Sequence, residues 1–117
     1  MSESNEQKSV IDYFRAKWPK LIIYSIPNGQ NIPSHQGRKK AKKEGLLAGV
    51  SDLFIAVPRG QYHGCYIEMK AKGKTQCSVS PEQKAFIEYA HWQGYQAGWC
   101  AGADEAIKFI DGYMGLK

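Results

Sequence analysis

Apolar residues recur along this chain with two different periods, and the change from one to the other marks the elements. Val10, Ile11, Phe14 and Trp18 are spaced by three and four, which lays an apolar stripe along one side of a helix. Ser4 followed by Gln7 predicts its capped start, and Pro19 its end. From Leu21 to Ile26 the run is β-rich, and Pro27-Asn28-Gly29 closes it with turn residues. Val50 to Val57 and Cys65 to Ala71 read as two further strands. A hairpin-like connection from Pro58 to Gly64 joins them, so they are expected to be antiparallel neighbours. Ser80-Pro81-Glu82-Gln83 then combines a cap, a proline at the first helical position and a capping-box partner. The helix it opens turns Phe86, Ile87 and Ala90 inward and stops at Gly94. Tyr95 to Ala101 is a fourth strand, reached through a helix and therefore expected to run parallel to the third. Asp104 to Met114 is a last helix, with Ala106, Ile107 and Ile110 inward and Tyr113 closing the stripe. The predicted class is α/β: a helix, a three-stranded meander, a helix, a fourth strand parallel to the third and a final helix, in a single domain over residues 1–117.

One stretch fits neither period. Gln36 to Glu44 holds Arg38, Lys39, Lys40, Lys42 and Lys43 with hardly an apolar residue, which predicts a solvated helix, with Ser34 placed to cap it, or a mobile loop. Such a run can contact phosphates or can be a charged surface and nothing more. A formal charge of +5 and a pI near 9.1 suit a phosphate-bearing partner without requiring one. Cys65, Cys77 and Cys100 are odd in number and widely spaced, so free thiols are expected in place of a disulfide framework or metal knuckle. His35, His63 and His91 lack metal-ligand spacing, and Trp18, Trp92 and Trp99 read as core, or for Trp92 as an exposed interface residue. No apolar run has the length of a membrane span, and the polar start lacks the order of a signal peptide, so a cytoplasmic location is expected.

Three charges interrupt the central strands. Glu68 and Lys70 lie two apart and share one face, while Ile67, Met69 and Ala71 take the other. Asp52, near the start of the preceding strand, falls across from Glu68 to Lys70 in an antiparallel pairing, so the three converge. Ionised groups beside an apolar core are costly unless they are paired or bound to metal. Two carboxylates on adjacent strands can share a hard cation such as Mg²⁺ or Mn²⁺, and a lysine beside them can hold a water or meet charge developing on a phosphate. The same residues can equally form a structural ion cluster in which Lys70 neutralises Asp52 and Glu68. Glu6, one turn before Val10, is accounted for by the helix dipole, and Gln83 by its capping box.

Gly49-Val50-Ser51-Asp52-Leu53-Phe54, followed by Tyr66-Ile67-Glu68-Met69-Lys70, resembles the signature of the PD-(D/E)XK nuclease superfamily, and specifically of its VRR-NUC family. The likeness continues at Glu6, at Asn28-Gly29, at Ser80 to Gln83, at Gly94-Tyr95 and from Gly102 to Ala106, nearly the whole chain; Ser51 stands where the superfamily name has proline. The resemblance implies a nuclease-like core and a divalent-metal endonuclease using Mg²⁺ or Mn²⁺ on DNA, selective for branched forms such as four-way junctions or flaps. It implies Asp52, Glu68 and the main-chain carbonyl of Met69 as metal ligands, with Glu6 supporting a metal, directly or through water. Lys70 is implied to position the attacking water and Gln83 to assist at the site. Asn28, Arg38, Lys39, Lys40, Lys42, Lys43 and Lys72 are the expected DNA contacts, Asn28 either lining the site or only making its turn. Members of this length resemble dimeric enzymes, which implies a homodimer. The alternative is a binding module that keeps the fold without catalysis, and it does not need Asp52, Glu68, Lys70 and Glu6 together.

Overall fold

A computed structural model describes residues 2–29 and 32–117 of the chain. The first helix, α1 (Glu3–Lys17), is capped by Ser2 and not by Ser4: the Ser2 hydroxyl accepts the Asn5 N–H. The earlier start brings Glu3 into the first turn, where the helix dipole favours a carboxylate. Val10 and Phe14 are wholly buried along its stripe, with Ile11 and Trp18 packed beside them.

Three strands follow as an antiparallel meander, β1 (Ile23–Ser25), β2 (Leu53–Ile55) and β3 (Cys65–Lys70). β1 and β2 are shorter than the runs that predict them. Single bonds from the Ala56 N–H to Ile22 and from the Ile26 N–H to Asp52 extend the pairing past their ends, and Pro27, which lacks a donor, follows. Between β1 and β2 the basic run is a helix, α2 (His35–Lys43), absent from the predicted order. Ser34 caps it by accepting the Gly37 N–H, and Arg38 reaches back to the carbonyls of Ile32 and Pro33. No α2 residue is buried, so no apolar period marks it in the sequence.

Beyond a short 3₁₀ turn (Gln76–Ser78), α3 (Pro81–Trp92) opens on the complete Ser80–Gln83 capping box and leads to β4 (Gln96–Ala101). β4 pairs parallel to β3 along its length, giving the sheet order β1-β2-β3-β4. The last helix, α4 (Ala103–Met114), begins after Gly102, whose φ of +92° suits a residue without a side chain; α4 therefore has no side-chain cap of its own.

The two faces of the sheet differ. Ile23, Leu53, Ile55, Cys65, Ile67 and Met69 form a core with α1 and α4, into which Ala106, Ile110 and Tyr113 are buried. Burying side chains such as Leu53 or Ile67 stabilises the fold by about 2–3 kcal/mol each. The alternate positions, Phe54, Tyr66, Glu68 and Lys70, face α3, which buries only Ala90; Phe86, Ile87 and, in α4, Ile107 are half-buried, not the full core positions expected. Cys65 and Cys100 are buried and Cys77 exposed, all as free thiols. Among the described residues no helix is long and apolar enough to cross a membrane.

Candidate active site

The register of the meander sets Leu53 opposite Ile67, which places Asp52 across from Glu68 at the end of β2. Asp52 Oδ2 accepts the Met69 N–H at 2.7 Å, and the Asp52 carbonyl accepts the Ile26 N–H at 2.8 Å, so both ends of the residue are held by neighbouring strands. Glu68 is only 3% exposed. One of its oxygens accepts from the Gln83 amide at 3.3 Å, while Oε1 is buried without a partner among the described residues. Burial, followed by the closeness and negative charge of Asp52, pushes the Glu68 carboxyl up from 4.5 to about 9.

Gln83 has two roles that the sequence offers as alternatives. Its Oε1 accepts the Ser80 N–H, completing the capping box, and its Nε2 holds Glu68. The helix start that fixes α3 thereby also orients a site carboxylate. Lys70 lies on the same face of β3, and its charge opposes the upward shift of Glu68. Among the described residues, however, the ion pairs are Lys8–Asp12 and Lys17–Asp111, so Lys70 does not close a salt bridge onto either carboxylate. A self-neutralised structural cluster is not what the side chains form.

The structure separates the two acids of α1. Glu6 is buried at 5% exposure, and its carboxylate accepts the Ala103 N–H, supplying to α4 the cap that Gly102 lacks. Glu3, one turn earlier, is the acid that feels the site: burial raises its carboxyl first, then the charge of Asp52, against the opposing charge of Lys70. Glu3 lines a cleft of about 720 Å³ with Gln7, Ser25, Asn28 and Asp52. Among the described residues no three His, Cys, Asp or Glu side chains are grouped to hold a metal.

The sequence pattern of the VRR-NUC domain, a nuclease-type family, matches residues 3–104. The chain belongs to the VRR-NUC domain family. A solved VRR-NUC domain protein is similar over 100% of this chain and 91% of its own, with a TM-score of 0.83 and 30% sequence identity. No curated protein matches.

Within this VRR-NUC domain the other expected contacts fall in two places. Asn28 and Gly29 border the Asp52 cleft, and Ala41 brings α2 to the same cleft. Lys39, Lys40 and Lys43 instead line a separate groove on α2, while Lys42 is exposed and Lys72 is exposed beyond β3. Arg38, exposed on α2, donates to the carbonyls of Ile32 and Pro33 just before the helix. Glu3 is the residue the motif reading passes over. The missed signal is Ser2, a better-placed cap that puts Glu3 in the first turn.

Proposed function

We propose that this protein is a divalent-metal-dependent deoxyribonuclease that cuts branched DNA, such as four-way junctions or flaps. One observation carries the reading: Asp52 and Glu68 are packed side by side so that both cannot ionise without cost, Lys70 forms no ion pair with them, and Glu68 Oε1 is buried without a partner among the described residues. A divalent cation relieves that conflict, so the residues fit Mg²⁺ or Mn²⁺. Asp52, Glu68 and the Met69 carbonyl would hold it, and when bound it would activate water and neutralise charge on the scissile phosphate.

The chain's own groups do the rest. Gln83 fixes the orientation of Glu68, and the Met69 N–H fixes that of Asp52. Glu3 adds negative charge at the cleft, the role that the family resemblance gives to Glu6. Lys70, two residues from Glu68 and about 6–7 Å along the strand, presents an ammonium that can orient the attacking water and meet charge on the phosphate. The lysines of α2 lie on a groove apart from the cleft, which supports a substrate with one arm at Asp52 and a second against α2.

Labelled junction, flap, linear duplex and single-stranded DNA, each with Mg²⁺, Mn²⁺ or chelator, test this. Metal-dependent cutting of the branched forms, lost in Asp52→Asn and Lys70→Ala, is expected. If the wild type binds DNA as these variants do and nothing is cut under any condition, the protein is a binding module and the catalytic reading is wrong.

A further inference from the structure

Of the three tryptophans, Trp18 packs on Phe14 with ring centres 5.1 Å apart, whereas Trp92 and Trp99 meet no other ring among the described residues. Both line a groove of about 440 Å³ between α3, the turn before it and β4, with Val79 and Ile87 adding apolar lining. Trp92 is 82% exposed at the end of α3, and Trp99 is half-buried. The sheet register makes Trp99 the β4 partner of Glu68. Their side chains therefore leave the same face of the sheet, from strands about 5 Å apart. Gln83, which holds Glu68, opens α3, and Trp92 ends it about 14 Å further along the helix axis. The groove thus begins beside a site carboxylate and runs outward to an exposed indole.

Its polar groups are of two kinds. Lys84 and Glu88 line it one turn apart, and neither is in an ion pair among the described residues. An ammonium meets phosphate, and a carboxylate accepts from the exocyclic amino group of a base. Lys72 and Lys74 are exposed on the loop that leads to Gln76, which also lines the groove. The groove on the other flank of α3, past Leu47 and Tyr89, has neither a lysine nor a tryptophan among its described lining residues. Flat apolar walls with a few polar groups suit a nucleobase, and single strands are bound by aromatic side chains that stack on bases beside cations that track the backbone.

We propose that this groove holds unpaired bases of the nucleic-acid strand next to the scissile phosphate, stacked on Trp99 and Trp92, with Lys84 on the backbone. Inside a duplex the bases stack on one another, and their faces are closed to an indole. A flap or a branch point offers unpaired nucleotides, so the groove separates these substrates from linear duplex by what can enter it. The inference rests on the nuclease reading for the position of the strand, and it names the part of the substrate that the site reads.

Tryptophan fluorescence in chelator tests it with nothing being cut. A mixed-sequence single-stranded oligonucleotide is expected to quench the wild type, while an abasic strand of the same length and the matching linear duplex bind at least about fivefold more weakly. Trp92→Ala should keep the circular dichroism spectrum of the wild type and bind the oligonucleotide at least about fivefold more weakly, with Trp92→Phe recovering part of the loss. Lys84→Ala should lower the salt slope of single-strand binding by about 0.7. Binding without quenching, no binding of the oligonucleotide, equal affinity for the abasic strand, or a Trp92→Ala that binds as wild type does overturns the proposal. So does quenching that follows protein concentration in place of DNA, which would identify this face as a protein contact. Cutting of branched DNA without base-dependent quenching refutes this inference alone, whereas quenching with no cutting under any metal condition keeps the base-binding groove and refutes the nuclease reading.

Discussion

Replacing Glu68 by glutamine should make the metal-free protein more stable while destroying the proposed activity. The folded protein holds the Glu68 proton up to about pH 9, whereas the ordinary value is 4.5. Between those limits the native state binds more protons than the unfolded chain, so stability falls as pH rises, with a ceiling of about 1.4 kcal/mol per pH unit. From about pH 5.5 to about pH 8.5 that ceiling is about 4 kcal/mol, and relaxation of the surrounding groups on ionisation lowers it to about 1–3 kcal/mol. For a chain of this size each kcal/mol moves the melting temperature by about 4 °C, so wild type in chelator should melt roughly 4–12 °C lower at the alkaline end of that range than at the acidic end. A glutamine side chain in place of the Glu68 carboxyl would keep a carbonyl for the Gln83 amide and offer an N–H to Asp52, with no proton to lose. Glu68→Gln should therefore show a flatter pH profile and melt above wild type at the alkaline end. Mn²⁺ should raise the melting temperature of the wild type there and leave the variant nearly unmoved. Thermal unfolding followed by circular dichroism, across pH and with or without Mn²⁺, reads all of this. A wild-type profile flat in chelator, or a variant that melts below wild type at alkaline pH, would refute the claim that two carboxyls are forced together here.

Further substitutions separate scaffold from chemistry. Glu6→Ala should cost about 1–3 kcal/mol in urea unfolding, because the Ala103 N–H and the start of α4 lose their partner, while Glu3→Gln should leave stability within about 0.5 kcal/mol and lower cleavage at least about tenfold. Gln83→Ala should do both, losing about 1 kcal/mol with the capping box and also slowing cleavage. If its melting temperature and turnover match wild type, the double role is wrong. Lys39→Ala and Lys42→Ala should each weaken DNA binding on every substrate and reduce its salt slope by about 1. Ser51→Ala, which removes a buried hydroxyl that has no partner among the described residues, should be neutral or stabilising by up to about 1 kcal/mol on melting, and a clear loss would show that the hydroxyl is satisfied after all.

Much of this could be read from the chain because its signals are local. Alternation placed Glu68 and Lys70 on one face, and a short connection made the pairing with Asp52 antiparallel, so the convergence of the three needed no tertiary knowledge. The capping box at Ser80 likewise fixed the start of α3. What the chain concealed was decided at a distance. Glu3 and Glu6 are one turn apart, and which of them faces the site depends on where α4 begins. Gly102 was the clue, since a helix whose cap position has no side chain must find its partner elsewhere. Helix α2 was undecided because it is held by Ser34 and Arg38 and buries nothing, and hydrophobic periodicity registers only helices that bury a side.

The way α2 is attached also bears on how such proteins diversify. It is inserted between two paired strands, closes with its own cap and its own arginine clasp, and contributes no side chain to the core. Its surface sequence can drift, or the whole insert can be exchanged for another, at little cost to the folding of the sheet that carries Asp52 and Glu68. On the proposed reading of α2 as a DNA contact, changes to its exposed side chains would alter substrate binding without disturbing the packing that holds Asp52 and Glu68.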